Sequence, residues 1–426
     1  MSNLQQLKSR HLKILGISNI PLWGMGHRGG MPSVYWGQKG FVQAGHEVHL
    51  LVPGEKGHKE IVEDGIHVHY FTIPLKPFSS KHIWLHRFSV KLYWCLFLFL
   101  AARAAMDIGK TVKPDVVYGH TSYGAPVAWF VAKIYGIQNI TRLYGTFLFP
   151  ILSNPLRLIG KCEEVLAFKI PSSFLIVTDD GTGGMVVAER LKVPAEKVKC
   201  WRNGVNRFYD PNFDTEAFKK SVHLSSDQRL VLTASRLAEW KRVDRLINAV
   251  PKVVSELDDV VFVILGDGTD RERLERLAES LGVARHVRFM GDVSQDEVAK
   301  YMNAADVFVS LFDLSNISNA VQEAMACGKC VLVLNSGDTS NLVKHKETGV
   351  LVDLKDLPQL PAILKDLLQD SDLRKRLGSE AMHFADEHMP SWEARVQKEV
   401  ELVEKLVEKS KETVLTRGEK HRSFIG

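Results

Sequence analysis

Residues 306–334, DVFVSLFDLSNISNAVQEAMACGKCVLVL, read as a strand, a polar loop, a short helix and a second strand. Asp306–Leu311 and Cys330–Leu334 are β-branched, apolar runs without polar alternation, the pattern of strands buried on both faces of a parallel sheet. Asn319 can cap a helix that carries Ala320, Val321, Glu323, Ala324 and Met325 and stops at Gly328. Glu323 is the odd residue, an acid among small apolar neighbours beside a loop of hydroxyl and amide groups. In a doubly wound sheet, ligands lie outside the carboxyl ends of the strands, where the Ser315–Asn319 loop falls. A carboxylate accepts two hydrogen bonds in a fixed fork, so this acid is suited to sugar hydroxyls.

The same alternation runs outward on both sides. Arg229–Ala234 is a strand, SRLAEWKR a loop, and Val243, Leu246, Ile247 and Val250 one face of the next helix. Arg236 and Lys241 thus project from a strand end and a helix start. Two cations there can clamp a diphosphate; solvated surface charges are the plainer alternative. Val260–Leu265 with its GDG turn, Val287–Phe289 and Gly349–Val352 complete a parallel sheet with helices between. Helices follow at Pro358–Gln369, Asp372–His388 and Ser391–Lys409. Trp392, Val396, Val400, Val403 and Val407 form a stripe on the last of these. Beyond Lys409 the polar, basic residues read as a flexible tail.

The first half opens as β-α-β, with strands at Leu12–Ile17, Glu47–Val52 and Ile66–Ile73 and a helix over Val34–Ala44. Gly24, Gly26 and Gly29 match the dinucleotide fingerprint. However, Asn19–Trp23 separate the first glycine from the strand and Pro32 delays the helix, which argues against a nicotinamide site. Gly29 and Gly30 still offer backbone N–H groups to an anion at a helix start. Asp115–Tyr118, Ile140–Tyr144, Phe174–Thr178 and Val198–Trp201 are further strands. His120 stands at a strand's carboxyl end, where it is either catalytic or a structural histidine. RNGVN at 202–206 is a turn at a domain crossover. The expected fold class is α/β, with two Rossmann-like, doubly wound parallel-sheet domains facing a central cleft. Residues 1–203 form the first domain, 204–390 the second, and 391–426 a C-terminal helix and tail.

Composition fits a globular chain of two or three domains, with 45% apolar and 25% charged residues in 426. Charge is uneven. Residues 1–203 hold 24 Lys and Arg against 13 Asp and Glu, and the remainder 31 against 37. The basic half suggests an acidic ligand, acceptor or membrane surface. Cys327 and Cys330 have C-x-x-C spacing, but Cys330 opens a buried strand and no second pair exists, so no metal site is expected. An odd, scattered set of cysteines suits a reduced cytoplasmic compartment, and the polar, basic Leu4–Arg10 does not resemble a secretory leader. Residues 76–103 mix Lys81, Arg87 and Lys91 with Trp84, Phe88, Tyr93, Trp94, Phe97 and Phe99. The uninterrupted apolar run Leu92–Ala102 is too short to span a bilayer. The segment suits a helix lying on an anionic membrane, and equally a core helix with a basic outer face.

Taken together, a glycine pair near the start, QAGHEVHLLVP, PDVVYGH, RNGVN, SRLAEWKRVDRLI, GDG, VRFMGDV, ADVFVSL, QEAMACGK and TGVLVD resemble retaining GT-B glycosyltransferases of family 4, glycosyl transferases group 1. The resemblance covers residues 12–405. It implies a nucleoside-diphosphate sugar donor, UDP-sugar first and GDP-sugar next, held mainly by the second domain. It also implies a glycan or lipid-linked acceptor on the first domain, and a last helix crossing back to that domain. By position, Arg236 and Lys241 fall on the donor diphosphate, Glu323 on the ribose and Met290 near the base. Gly30 falls in the phosphate and acceptor loop, and His120 near the reacting sugar. Ser315, Asn316, Ile317, Ser318 and Asn319 form the loop over the donor sugar. The implied catalytic set is His120, Arg236 and Lys241, with no metal, no further cofactor and no nucleic acid. One departure stands out: the first acid of E-x7-E is Ser315. That leaves a non-catalytic nucleotide-sugar-binding homologue as the alternative. The usual His-Gly after the fifth strand is Tyr144–Gly145 here. The implied setting is cytoplasmic, peripheral to the inner face of a membrane.

Overall fold

The structure, a computed structural model, describes residues 11–20, 32–54, 60–75, 77 and 83–423. The first sheet is built from β1 (Lys13–Ile17), β2 (Glu47–Pro53), β3 (Glu60–Glu63), β4 (Ile66–Phe71), β5 (Val116–His120), β6 (Gln138–Leu143), β7 (Phe174–Thr178) and β8 (Val198–Trp201). Their order is β3-β4-β2-β1-β5-β6-β7-β8, all parallel except β3 on β4. The second sheet holds β9 (Arg229–Ala234), β10 (Val260–Leu265), β11 (Val287–Gly291), β12 (Val307–Ser310), β13 (Cys330–Leu334) and β14 (Val350–Val352). Its order is β11-β10-β9-β12-β13-β14, parallel throughout. Every residue of β10 and β13 is buried, because helices cover both faces and leave no place for a polar rung. Two doubly wound parallel-sheet domains are therefore present.

Strand order reverses at β1/β5 in the first sheet and at β9/β12 in the second. The carboxyl ends of these strands open a crevice in which doubly wound sheets bind ligands. His120 ends β5, the Arg236–Lys241 loop follows β9, and the Ser315–Asn319 loop follows β12.

Several local expectations change. The sequence gives no separate place to β3, yet it pairs antiparallel with β4 through Asp64 and Gly65 at φ 51° and 82°. Pro32 does not delay the first helix but begins it, over Pro32–Gln43, since a first-turn proline forfeits an N–H that has no helical partner anyway. Ser318, not Asn319, caps the helix Asn319–Ala326, accepting the Val321 N–H. The expected flexible tail is also helical, because Trp392–Ser423 runs as one helix. Past Lys409 it is held by Gln138 donating to Ser410 Oγ and by Lys411 paired with Asp115. Its stripe of Val396, Val400, Val403 and Val407 joins the core of the first domain with Val34, Tyr35 and Phe41. Trp392 stacks on Trp36 at 6.1 Å.

The aromatic segment also extends further than its apolar run suggests, as a single helix, Ile83–Val112. By length and composition it could cross a membrane. Phe97, Ala101 and Ala105 nevertheless pack against Leu15, Ile17, Leu51 and Val117 of the first sheet. The outer side carries Trp84, Phe88 and Phe99, each more than 60% exposed. Within the expected 76–103 stretch, residues 76 and 78–82 lie outside the described residues.

Candidate active site

After β9 the chain passes through Ser235–Ala238, makes a tight turn over Glu239–Lys241 and enters the helix Val243–Val254. Leu237 anchors the loop by complete burial, and its N–H donates to the Asp267 carbonyl. Of the four cations here, two are neutralised. Arg242 pairs with Asp244 and Asp313, and Arg245 with Asp313. Arg236 is exposed and meets no carboxylate among the described residues. The Lys241 ammonium rests 3.6 Å from the Phe312 ring centre and 4.1 Å from that of Trp240. Burial, reinforced by Arg236 and opposed by Asp180, lowers Lys241 to about 7. Arg236 and Lys241 are thus neighbouring cations that form no ion pair among the described residues.

In the same domain, the loop after β12 and the acid that follows it are sorted by their hydrogen bonds. Asn316 is fully buried and is already satisfied. Its Oδ1 accepts from Ser310 and the Phe312 N–H, while its Nδ2 donates to Leu334 O and Ser336 Oγ. It braces the loop and has no group left for a sugar, which corrects its expected role. Ser315 Oγ accepts the Ile317 N–H at 3.2 Å, and the Ile317 side chain is buried in the core. Asn319 Oδ1 accepts from Asn203. Glu323 is buried and, among the described residues, has one partner, Asn206, whose Nδ2 donates to Oε1 at 2.6 Å. Burial raises Glu323 to about 7 despite that bond. Met290 lies 39% exposed on the edge strand β11. Gly30 lies outside the described residues.

His120 is where the structure departs most from expectation. It is buried, with both ring nitrogens engaged: Nε2 with Gln38 at 3.1 Å and Nδ1 with Tyr144 at 2.8 Å. Burial lowers its pKa to about 4, so it is neutral at physiological pH and cannot serve as a ready acid. Beneath it lies a closed ionic cluster. Arg395 Nη2 sits 2.9 Å from Glu399, and Arg142 Nε 3.8 Å from the same carboxylate. Both ring nitrogens of His120, expected near the reacting sugar, are thus already engaged by neighbouring side chains.

Two contributions went unread in the sequence. The RNGVN segment supplies amides as well as a turn: Asn203 bonds Ser33 and Asn319, and Asn206 bonds Glu323. Asp180, just past β7, lies close enough to influence Lys241. No His, Cys, Asp or Glu group suited to a metal ion occurs among the described residues.

This layout has known relatives. Residues 38–207 match the family described as Glycosyltransferase Family 4, and residues 214–384 match Glycosyl transferases group 1. The chain belongs to the family 4 glycosyltransferases. This family 4 glycosyltransferase is 24% identical to N-acetyl-alpha-D-glucosaminyl L-malate synthase of Bacillus anthracis, over 83% of this chain and 88% of that one. It is 30% identical to a GDP-mannose-dependent alpha-(1-6)-phosphatidylinositol monomannoside mannosyltransferase of Mycolicibacterium smegmatis, over 59% and 64% of the two chains. Its fold is similar to that of sucrose-phosphate synthase from Thermosynechococcus elongatus, with a TM-score of 0.74 at 18% identity over 93% and 99%. The two parallel-sheet domains are those of the GT-B fold.

Proposed function

We propose that this glycosyltransferase moves a sugar from a nucleoside-diphosphate donor to a lipid-linked or glycan acceptor, with retention at the anomeric carbon. The observation that carries the donor assignment is the pair Arg236 and Lys241, which form no ion pair among the described residues, with Lys241 seated on Phe312 at the start of the loop that leads to the buried acid Glu323. The diphosphate lies between the two cations, and the ribose hydroxyls donate to Glu323. Charge grows on the leaving phosphate as the glycosidic bond breaks, and Arg236 and Lys241 stabilise it. That phosphate takes the acceptor proton on the same face as it leaves. The two cations fill the place of a divalent ion, so the step needs no metal.

The acceptor side is supported by the rim of the first domain. Phe147 and Phe149 are half exposed, while Leu156 and Ile159 are 81% and 69% exposed. Phe147 meets Trp240, beside Lys241, edge to face at 5.9 Å. Apolar groups at the mouth of a polar site suit an acceptor with a lipid portion. The name of the M. smegmatis relative specifies GDP-mannose and a phosphatidylinositol glycolipid, so GDP-sugars stand beside UDP-sugars as donors to test. A reduced cytoplasmic setting is compatible with the free thiols of all five cysteines.

The test is thermal stabilisation with UDP, GDP, ADP, CDP and NAD, followed by sugar transfer to lipid extracts. A ligand at a hundred times its dissociation constant adds about 2.7 kcal/mol. One diphosphate raising the melting point names the base. No response to any diphosphate defeats the proposal.

A further inference from the structure

We infer that Asp180, from the first domain, holds the hydroxyls of the donor sugar, supplying from across the crevice a carboxylate that the second domain lacks at Ser315. The inference rests on the donor reading above and assigns it a sugar contact.

The loop over the donor has few side-chain acceptors to spare. Asn316 is consumed by the loop itself, Asn319 Oδ1 is taken by Asn203, and Ser315 Oγ already accepts a backbone N–H. The first domain meets this loop directly. Gly181 has φ +75°, and a Cβ there would lie 2.3 Å from Ser315 Oγ and 2.9 Å from Ile317 Cδ1. A Cβ on Gly337 would likewise lie 2.6 Å from the Gly181 carbonyl. Serine at 315 and glycine at 181 therefore fit each other, and their fit draws the preceding residue, Asp180, up to the donor loop.

The Asp180 carboxylate is oriented rather than loose. Its Oδ1 accepts from the Thr182 N–H at 3.1 Å and from the Thr182 hydroxyl at 2.6 Å. Thr182 engages this oxygen alone. The other, Oδ2, lies 2.1 Å from where a Gly145 Cβ would stand, so the glycine at φ +96° makes room for it. No cation of the described residues forms an ion pair with Asp180, although Lys241 is within electrostatic reach. A carboxylate within electrostatic reach of Lys241, one residue before the glycine that meets Ser315 and Ile317, is placed to meet the sugar on the second phosphate. Burial raises Asp180 to about 6, which suits an acid whose partners arrive with the ligand.

The experiment compares Asp180→Asn and Asp180→Ser with the parent chain, measuring dissociation constants for UDP, GDP, UDP-glucose and GDP-mannose. Serine keeps the turn to the Thr182 N–H without the carboxylate, so a folded variant is secured even where asparagine disturbs the loop. The expected result is nucleoside-diphosphate affinity unchanged within about threefold or strengthened, and the sugar nucleotide weakened about tenfold or more. Equal effects on the nucleotide with and without its sugar overturn the assignment to Asp180 while leaving the donor site standing. A parent chain that binds none of the four ligands overturns the donor reading, and this inference with it.

Discussion

The Asn206 amide donates to Glu323 Oε1 at 2.6 Å, tying the crossover between the domains to the acid of the donor loop. The bond fixes one carboxylate oxygen without neutralising the group, and Glu323 remains held at about 7 by burial. Its charged form is therefore unfavourable in the free protein and becomes useful only with a ligand.

That balance predicts opposite effects of Glu323→Gln on stability and on binding. The folded pKa is raised, so the stability contributed by the protonated acid is complete below its usual 4.5 and is lost as pH rises through about 7. The penalty above pH 7 is on the order of 3 kcal/mol, from 1.4 kcal/mol per unit. Thermal melts at pH 8 should show Glu323→Gln more stable than the parent by several degrees, with the difference vanishing near pH 4. The diphosphate-induced rise in melting temperature should shrink sharply in the same variant. A variant less stable at pH 8, or one with a full ligand response, contradicts this.

Lys241 gives the binding reaction its alkaline limb. Lowered to about 7, the ammonium loses its proton just above neutrality unless an anion restores it. Glu323 must be ionised to accept the ribose hydroxyls, so diphosphate affinity should peak near pH 7 and fall by up to about tenfold per unit on either side. Lys241→Arg places a permanent charge against the Trp240 and Phe312 rings. The level of affinity should drop, because the fork is a poorer fit, but the decline above pH 7 should disappear. Isothermal titration at pH 7, 8 and 9 reads the slope; an unchanged alkaline slope assigns it to another group.

Much of this was legible in local patterns and part was not. Buried runs such as VVFVIL at 260–265 and CVLVL at 330–334 announce a parallel sheet, since no other setting hides every rung. Arg236, Lys241 and Glu323 could be picked out because their charge is anomalous for their position. The Asp64–Gly65 turn was a readable hairpin signal that the flanking polar strand obscured. Asn203, Asn206 and Asp180 were unreadable in principle, for their partners lie more than a hundred residues away or in the other domain. His120 was placed correctly at its strand end, but no spacing could reveal that Gln38 and Tyr144 close over both nitrogens. The charged end of the last helix was misjudged because polarity resembles disorder until a docking surface is known.

The ionic cluster beneath His120 predicts acid sensitivity. Burial pushes the Glu399 carboxyl upward, but Arg395 and Arg142 outweigh it and hold it below its usual value. A lowered folded pKa gives stability that is present above 4.5 and lost as pH falls through the folded value. Glu399→Gln leaves two guanidinium groups without their counter-charge and should cost about 3–5 kcal/mol at pH 7. The exposed pair Lys220–Glu216, screened by solvent, should contribute little by the same measurement. Denaturant melts separate the two, and a Glu399→Gln cost near that of the surface pair would sink the claim that the cluster holds the last helix in place.

The exposed side of the Ile83–Val112 helix makes the final prediction. Trp84, Phe88 and Leu92 follow one another at four-residue spacing, so they share a face, and Arg87 stands beside them. The inner residues Phe97, Ala101 and Ala105 are committed to the sheet, so the helix can meet a bilayer only sideways, by this outer face. A fully buried aromatic is stabilised by about 1.5–3 kcal/mol, and partial insertion of Trp84 and Phe88 together should reach the lower end of that range. Trp84→Ser with Phe88→Ser should therefore reduce sedimentation with anionic vesicles about tenfold, leaving diphosphate-induced stabilisation intact. Raising salt should weaken the parent chain's binding through its basic residues, and the residual binding at high salt should be the fraction that the double variant lacks. Unchanged sedimentation of the double variant would remove the membrane from the account of this helix and leave its aromatic face to another partner.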